Sequence, residues 1–156
     1  MIRTAVVGVG YLGRFHAQKY ASLPNSHLVG VADPSAQARS AVAAELGVAA
    51  YADYRELLGH VDAVSIVTPT PLHFEVAKDF LDAGASVLVE KPLTVTVEEG
   101  EHLIMLARRA NSMRASPSAT VTVIGFSTST LAPASRKSFA TSKCKGVGVT
   151  MLTAST

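Results

Sequence analysis

The sequence of 156 residues is poor in the residues that mark several classes of protein. It has no tryptophan, and its single cysteine, Cys144, excludes an internal disulfide. No group of cysteine and histidine has the spacing of metal ligands, so we expect no metal site. Charged residues are only 17% of the chain and the net charge is +2. This charge gives no reason to expect a nucleic acid as partner.

Long hydrophobic runs are missing as well. No apolar segment approaches the roughly 18 residues that a membrane span needs, so we expect no membrane partner. The chain passes from Met1 straight into a short apolar strand, without the apolar region and cleavage site of a signal peptide. We therefore expect a cytoplasmic protein. Hydrophobic residues are nevertheless 48% of the chain, which is a globular composition.

Short apolar segments alternate with helical segments along the first 111 residues. The patterns predict strands at 4–7, 27–32, 49–54, 61–67 and 85–90, and helices at 11–21, 36–46, 71–83 and 97–111. The strands are nearly continuous in valine, isoleucine, leucine and alanine, which is typical of a parallel sheet covered on both faces. With right-handed crossovers, the fold class is α/β with a doubly wound parallel sheet.

Several residues predict where the helices begin and end. Gly47 is a candidate C-cap for the second helix. Thr70 is a candidate N-cap with Pro71 at the first helical position. Two capping boxes are expected, one in "DYRE" at 53–56 and one in "TVEE" at 96–99.

The first strand ends in "GVGYLG", with glycines at Gly8, Gly10 and Gly13. The pattern alone is a weak signal, and a simple glycine turn is the alternative. Here a strand precedes it, a helix follows it, and Asp33 comes 20 residues after Gly13 at the end of the second strand. This context favours a dinucleotide site, with the pyrophosphate at the helix N-terminus.

Asp33 indicates which dinucleotide binds. A carboxylate in this position can accept hydrogen bonds from the ribose hydroxyls of NAD and repels the 2′-phosphate of NADP. No basic residue follows directly in "DPSAQ" to offset that repulsion. The alternative is that Asp33 only caps the turn before Pro34.

The last predicted strand runs into Glu90, Lys91 and Pro92. These charges are either a strand end that reaches solvent, or a functional group at the carboxyl edge of the sheet, where open α/β folds place their sites. The residues of this segment alone leave both interpretations open.

Taken in order, "GVGYLGRFH", "VADP", "YADYRELL", "VDAVSIVTPTPLH" and "VLVEKPLT" resemble the Gfo/Idh/MocA family of NAD(P)-dependent oxidoreductases over roughly residues 1–111. The resemblance implies a Rossmann domain followed by a larger substrate domain, and a hydroxyl of a sugar, cyclitol or sugar nucleotide as substrate. It is also compatible with homo-oligomers among full-length relatives. A dinucleotide sensor without catalysis, as some relatives are, is the alternative function.

The resemblance also implies roles for residues. Lys91 is the catalytic lysine beside the nicotinamide, and its ammonium can bind the reacting oxygen and relay a proton. Pro92 follows a cis peptide, and Glu90 orients Lys91 or the nicotinamide region. The remaining expected cofactor contacts are Tyr11, Leu12, Thr68, Pro69, Thr70 and His73, of which His73 is equally well interpreted as a packed or surface residue. The other histidines, His16, His27, His60 and His102, show no partner pattern, and we expect no role in the site for them.

The last part of the chain departs from the family pattern. We expect a Rossmann domain at 1–113 and an atypical basic tail at 114–156, with one possible added strand at 121–126. The tail has 16 serine or threonine residues among 43 and no Asp, Glu, Asn, Gln or His. We expect it to be either a non-native end, such as a frameshift, or a divergent segment. The substrate domain of the family is then absent, and we expect this chain to be inactive alone.

Overall fold

Parallel strands and crossover helices alternate along the chain, and the predicted fold class is confirmed. The computed structural model describes residues 1–112, 121–125 and 150–153, with side chains through Arg109. The strands are β1 (Ile2–Val7), β2 (Ser26–Ala32), β3 (Ala49–Tyr51), β4 (Ala63–Ile66), β5 (Ser86–Glu90), β6 (Val121–Gly125) and β7 (Thr150–Thr153). The helices are α1 (Tyr11–Ser22), α2 (Ala36–Leu46), α3 (His73–Asp82) and α4 (Val97–Ser112).

The sheet has the strand order β3-β2-β1-β4-β5-β6-β7, and every neighbouring pair is parallel. The order reverses between β1 and β4, because the chain first builds outward through β2 and β3 and then returns to the other side of β1. In open parallel sheets, ligands bind outside the carboxyl ends of the strands at such a reversal. The carboxyl ends of β1, β2, β4 and β5 therefore define the edge where a site is expected.

Two hydrophobic clusters cover opposite faces of the sheet. On one face, strand residues such as Ile66 pack with Phe80 of α3 and Leu103 of α4, and all three side chains are fully buried. On the other face, Ala17 of α1 and Val42 of α2 pack against β1 and β2. The strands are apolar on both sides because both sides are buried, which explains why their sequences do not alternate.

Helix ends follow local chemistry at three predicted positions. Gly47 ends α2 in the left-handed conformation, with φ of 67°. Before α4, the N–H of Glu99 donates to Thr96 Oγ1 while the N–H of Thr96 donates to Glu99 Oε2, which is the predicted capping box. Asp53 caps a short 3-10 turn (Tyr54–Leu57) by accepting the N–H of Arg55. The N–H of Glu56 donates to the backbone carbonyl of Asp53 and not to its side chain, so the capping box predicted at 53–56 is not formed.

The predicted start of α3 is wrong by two residues. Thr70 is not an N-cap, and Pro71 does not open the α-helix. Thr70–Leu72 instead form a 3-10 turn, and α3 begins at His73. The N–H of Leu72 donates to the carbonyl of Pro69, which tightens this connection before the helix.

The described parts of the C-terminal region are strands. β6 pairs with β5, and β7 pairs with β6 at the edge of the sheet. β7 was not predicted from the sequence. The rest of the predicted tail, residues 114–120, 126–149 and 154–156, lies outside the described residues. Within the described ranges, no helix combines the length and the apolar character of a membrane-spanning segment.

Candidate active site

The glycine loop lies after β1, and its three glycines have different surroundings. Gly8 has φ of +84°, and an added Cβ would lie 2.5 Å from the carbonyl oxygen of Val67. A Cβ on Gly13 would overlap the carbonyl oxygen of Gly8, so this glycine lets α1 pack against the loop. A Cβ on Gly10 would meet nothing within 4 Å. Gly10 therefore faces open space, which is the space a bound pyrophosphate needs.

The N-terminus of α1 is suited to an anion. Gly10 is its N-cap and provides no side-chain hydrogen bond, and the first turn contains no acidic residue. The first N–H groups of the helix thus keep their donor capacity, and no carboxylate repels a phosphate there. Tyr11 and Leu12 are 82% and 52% exposed at the lip of this loop, and the Tyr11 ring meets Phe15 edge-on.

Asp33 is held between two loops at the end of β2. Its Oδ2 accepts the N–H of Val9, at 2.9 Å, and its Oδ1 accepts the N–H of Ser35, at 2.8 Å. Each carboxylate oxygen has a second lone pair, so the fixed group can still accept two ribose hydroxyls. The carboxylate is half-buried, next to the glycine loop.

The structure places Arg39 beside Asp33, which the sequence analysis missed. Its guanidinium donates to the backbone carbonyls of Asp33, at 3.3 Å, and Pro34, at 3.0 Å. The contact joins the first turn of α2 to the end of β2. Arg39 lies six positions after Asp33 in the sequence, beyond the "DPSAQ" segment in which a cation was expected to matter.

The connection after β4 borders the glycine loop. Among the described residues, Thr68 Oγ1 is buried with no hydrogen-bond partner. A buried hydroxyl without a partner is costly, and a ligand that bonds it would remove that cost. Pro69 is exposed and Thr70 half-buried beside it. The orphan hydroxyl and the open space at Gly10 both fit a dinucleotide at this edge.

His73 joins two loops of the site. Its side chain is 1% exposed. Its Nε2 lies 2.8 Å from the carbonyl oxygen of Thr68, and its Nδ1 lies 2.9 Å from that of Pro92. The sequence left open whether His73 is a cofactor contact or a packed or surface residue. Its surroundings are those of a packed residue.

Lys91 stands exposed at the end of β5, and the Lys91–Pro92 peptide bond is cis, as the resemblance implied. The backbone N–H of Lys91 donates to Glu90 Oε2, at 3.1 Å. Glu90 Oε1 lies 3.4 Å from Nε2 of His16 on α1, and the two side chains are only 15% and 17% exposed. His16 is thus a neighbour of the lysine segment, contrary to the expectation that it has no partner.

A metal site has no support in the described part of the chain, where no three histidine, cysteine or acidic side chains gather in a metal-binding arrangement. The glycine loop, Asp33, Thr68 and the lysine segment do gather, because all of them follow parallel strands at one edge.

A family profile described as an oxidoreductase family with an NAD-binding Rossmann fold matches residues 2–116. The chain belongs to the Gfo/Idh/MocA family. It is an NAD-binding Rossmann domain of that family, which confirms the resemblance and the expected cofactor.

Named relatives are dehydrogenases of sugar nucleotides and cyclitols. UDP-N-acetylglucosamine 3-dehydrogenase of Acidithiobacillus ferrooxidans is 52% identical over 107 residues, which cover 69% of this chain and 34% of that protein. The NAD(+)-dependent scyllo-inositol 2-dehydrogenase of Bacillus subtilis is 40% identical over 104 residues, covering 64% of this chain and 30% of the relative.

A solved structure of scyllo-inositol dehydrogenase from Lactobacillus casei, with bound NAD(H) and scyllo-inositol, superposes with a TM-score of 0.70 at 26% identity. The match covers 79% of this chain and 36% of that one. The chain therefore spans about a third of the length of the proteins it matches.

Proposed function

We propose that this chain is the cofactor-binding part of a dehydrogenase that oxidises a hydroxyl group of a sugar, a cyclitol or a sugar nucleotide. The observation that carries the proposal is the meeting of the glycine loop, Asp33 and Lys91 at one edge of the sheet. The names of the relatives support the substrate class, since they include a UDP-sugar dehydrogenase and inositol dehydrogenases.

In this proposal, different residues bind different parts of the dinucleotide. The N–H groups at the start of α1 hold the pyrophosphate over the open space at Gly10. Asp33 accepts the hydroxyls of the adenosine ribose. Thr68 supplies a hydroxyl that no described residue binds, for a ribose or phosphate oxygen. Tyr11 and Leu12 cover the pyrophosphate from the solvent side, and Pro69 and Thr70 line the cofactor through their backbone.

Lys91 is the proposed catalytic residue. Oxidation of an alcohol removes a hydride from the carbon and a proton from the oxygen, and the C–O bond becomes a C=O bond. NAD, when bound, accepts the hydride. As an ammonium, the Lys91 side chain is a compact group with three rotatable donors that can hold the reacting oxygen. As a neutral amine it can accept the hydroxyl proton and pass it on. Glu90 and Pro92 fix the backbone on either side of it.

A dinucleotide sensor without catalysis is the second candidate. The glycine loop and Asp33 would serve it equally well, because neither needs a catalytic group to bind a dinucleotide. The exposed lysine at the carboxyl edge favours the enzyme, because dinucleotide binding alone has no use for an amine in that position.

A chimera tests the proposal. Residues 1–112 of this chain are fused to the part of the Acidithiobacillus relative that follows its matched segment. The chimera should reduce NAD in the presence of UDP-N-acetylglucosamine, and Lys91→Met should lower its turnover at least about a hundredfold. The matched control is Lys78→Met, which removes a half-buried lysine that pairs with Asp82 on α3. An active Lys91→Met chimera would refute the catalytic role of the lysine.

A further inference from the structure

We propose that His16 is a positioning residue for Lys91 and that it acts through Glu90. The inference rests on the proposed function, in which Lys91 is catalytic. The chain of contacts is short. His16 Nε2 lies 3.4 Å from Glu90 Oε1, and the other carboxylate oxygen of Glu90 accepts the backbone N–H of Lys91, at 3.1 Å.

The environment of the pair makes the contact effective. His16 and Glu90 side chains are 17% and 15% exposed, whereas the surface pair Arg3–Asp62 is 49% and 46% exposed. Water screens the interaction between two shielded side chains less strongly than the interaction between two exposed ones. Glu90 therefore has a fixed neighbour on one side and the lysine backbone on the other.

The position of His16 on α1 is itself fixed by a second contact. Tyr20 is one turn further along the same helix face, and its hydroxyl lies 2.8 Å from Ser65 Oγ on β4. Ser65 is the register partner of Leu88 on β5, two residues before Glu90 on the same face. His16, Tyr20, Ser65 and Leu88 all line a shallow cavity of about 230 Å³. The helix is thus anchored to the middle of the sheet at Tyr20 and to its carboxyl edge at His16.

The lysine segment is consequently held from both faces of the sheet. On the α1 face, His16 contacts Glu90. On the α3 face, buried His73 contacts the carbonyl of Pro92. Lys91 is the residue between these two anchors. Because α1 also presents its N-terminus to the cofactor phosphates, His16 connects the phosphate-binding helix to the backbone that carries the amine.

Amide hydrogen exchange of the ¹⁵N-labelled chain, measured by NMR without cofactor, tests the inference. His16→Ala should speed exchange at the Lys91 amide about threefold, the effect expected for weakening one hydrogen bond. The Val9 amide, which donates to Asp33 at the same edge, should not change. His16→Gln retains an N–H donor and should keep the Lys91 rate near that of the wild type. The control is His60→Ala, which removes an exposed imidazole remote from Glu90.

An unchanged Lys91 rate in His16→Ala would overturn the inference. An equal rise at Val9 and Lys91 would overturn it too, since that pattern indicates general loosening. If His16→Ala does not fold, Glu90→Gln provides the second test, because it leaves α1 intact and should raise the Lys91 rate alone. A titration of the wild-type chain with NADH separates the two proposals. Failure to bind would refute the proposed function, while the exchange rates would still decide whether His16 restrains Lys91.

Discussion

At the scale of residues, the glycine loop shows how one residue type serves two different needs. Gly13 is required for packing, because a Cβ would overlap the carbonyl oxygen of Gly8. Gly10 has no such neighbour, so we expect its missing side chain to matter to a ligand and not to the fold. Folding and binding can therefore be separated by the same substitution at two positions three residues apart.

Gly10→Ala should fold with a free energy of unfolding within about 1 kcal/mol of the wild type, yet bind NADH at least about tenfold more weakly. Gly13→Ala should lose stability, since overpacking costs about 1–3 kcal/mol and the gain in helix propensity is only about 1 kcal/mol. Urea denaturation and NADH fluorescence measure the two effects. Equal NADH affinity for Gly10→Ala and wild type would show that the pyrophosphate does not lie over this residue.

Asp33 should set the choice of dinucleotide. We expect the wild type to bind NAD(H) at least about tenfold, or about 1.4 kcal/mol, more tightly than NADP(H). Asp33→Asn should weaken NAD(H) binding and reduce that preference, because the negative charge facing the 2′-phosphate is gone. Asp82→Asn is the control, since Asp82 lies at the far end of α3 with Lys78. Equal or tighter binding of NADP(H) by the wild type would remove Asp33 from this role.

At the scale of elements, side-chain contacts join the 3-10 turn before β4 to α3. The Tyr54 hydroxyl donates to Asp79, at 2.8 Å, and the Arg55 guanidinium lies 4.7 Å from the Tyr54 ring centroid. Arg55 also pairs with Glu75, at 2.6 Å. Burial, and then the hydrogen bond to Asp79, raise the pKa of Tyr54 above its ordinary value of 10.0.

Tyr54→Phe should lower the free energy of unfolding at neutral pH by about 1 kcal/mol, the net value of one hydrogen bond. Because the folded pKa of Tyr54 is raised, its contribution is complete below pH 10 and is lost as the pH rises toward the folded pKa. The difference between wild type and Tyr54→Phe should therefore shrink in urea titrations above about pH 10. Tyr11→Phe, at an exposed ring, is the control. A difference that stays constant with pH would mean that the phenol proton does not contribute.

The elements also show which parts of the site the sequence could reveal. Gly8, Gly10, Gly13 and Asp33 follow strands at fixed short spacings, and parallel topology then brings them to one edge. α2 was predicted with its bounds correct because Gly47 ends it and an unbroken run of alanine-rich sequence fills it. In these cases, short-range patterns in the sequence were sufficient to predict the structure.

Contacts between elements that are distant in the sequence could not be predicted from it. Nothing in the sequence near His16 indicates Glu90, because their meeting depends on how α1 crosses β4 and β5. The start of α3 was misplaced for a local reason, since Pro71 is compatible both with the first turn of an α-helix and with the 3-10 turn that forms. His73 was undecided because its two partners are backbone carbonyls, which no side-chain pattern reveals.

At the scale of the whole molecule, the question is what this chain of 156 residues does by itself. The described residues contain the edge of the sheet that we propose binds the dinucleotide. Catalysis also requires a substrate held within about 3.5 Å of the nicotinamide and protected from water. The match covers about a third of the relatives, so we assign those tasks to the part of the relatives that lies beyond it.

We therefore expect no NADH production when the purified chain is incubated with NAD and sugars, inositols or UDP-sugars. The chimera described above, assayed under the same conditions, is the positive control. Substrate-dependent turnover by the chain alone would show that the residues after 112 complete the active site.

The most direct test of the account is a calorimetric titration of the purified chain with NADH, in parallel with its Gly10→Ala and Lys91→Met variants. We predict saturable binding at a single site for the wild type, the same affinity within about twofold for Lys91→Met, and at least about tenfold weaker binding for Gly10→Ala. Absence of NADH binding by a folded wild-type chain, or equal binding by Gly10→Ala, would contradict the claim that this edge of the sheet holds the dinucleotide.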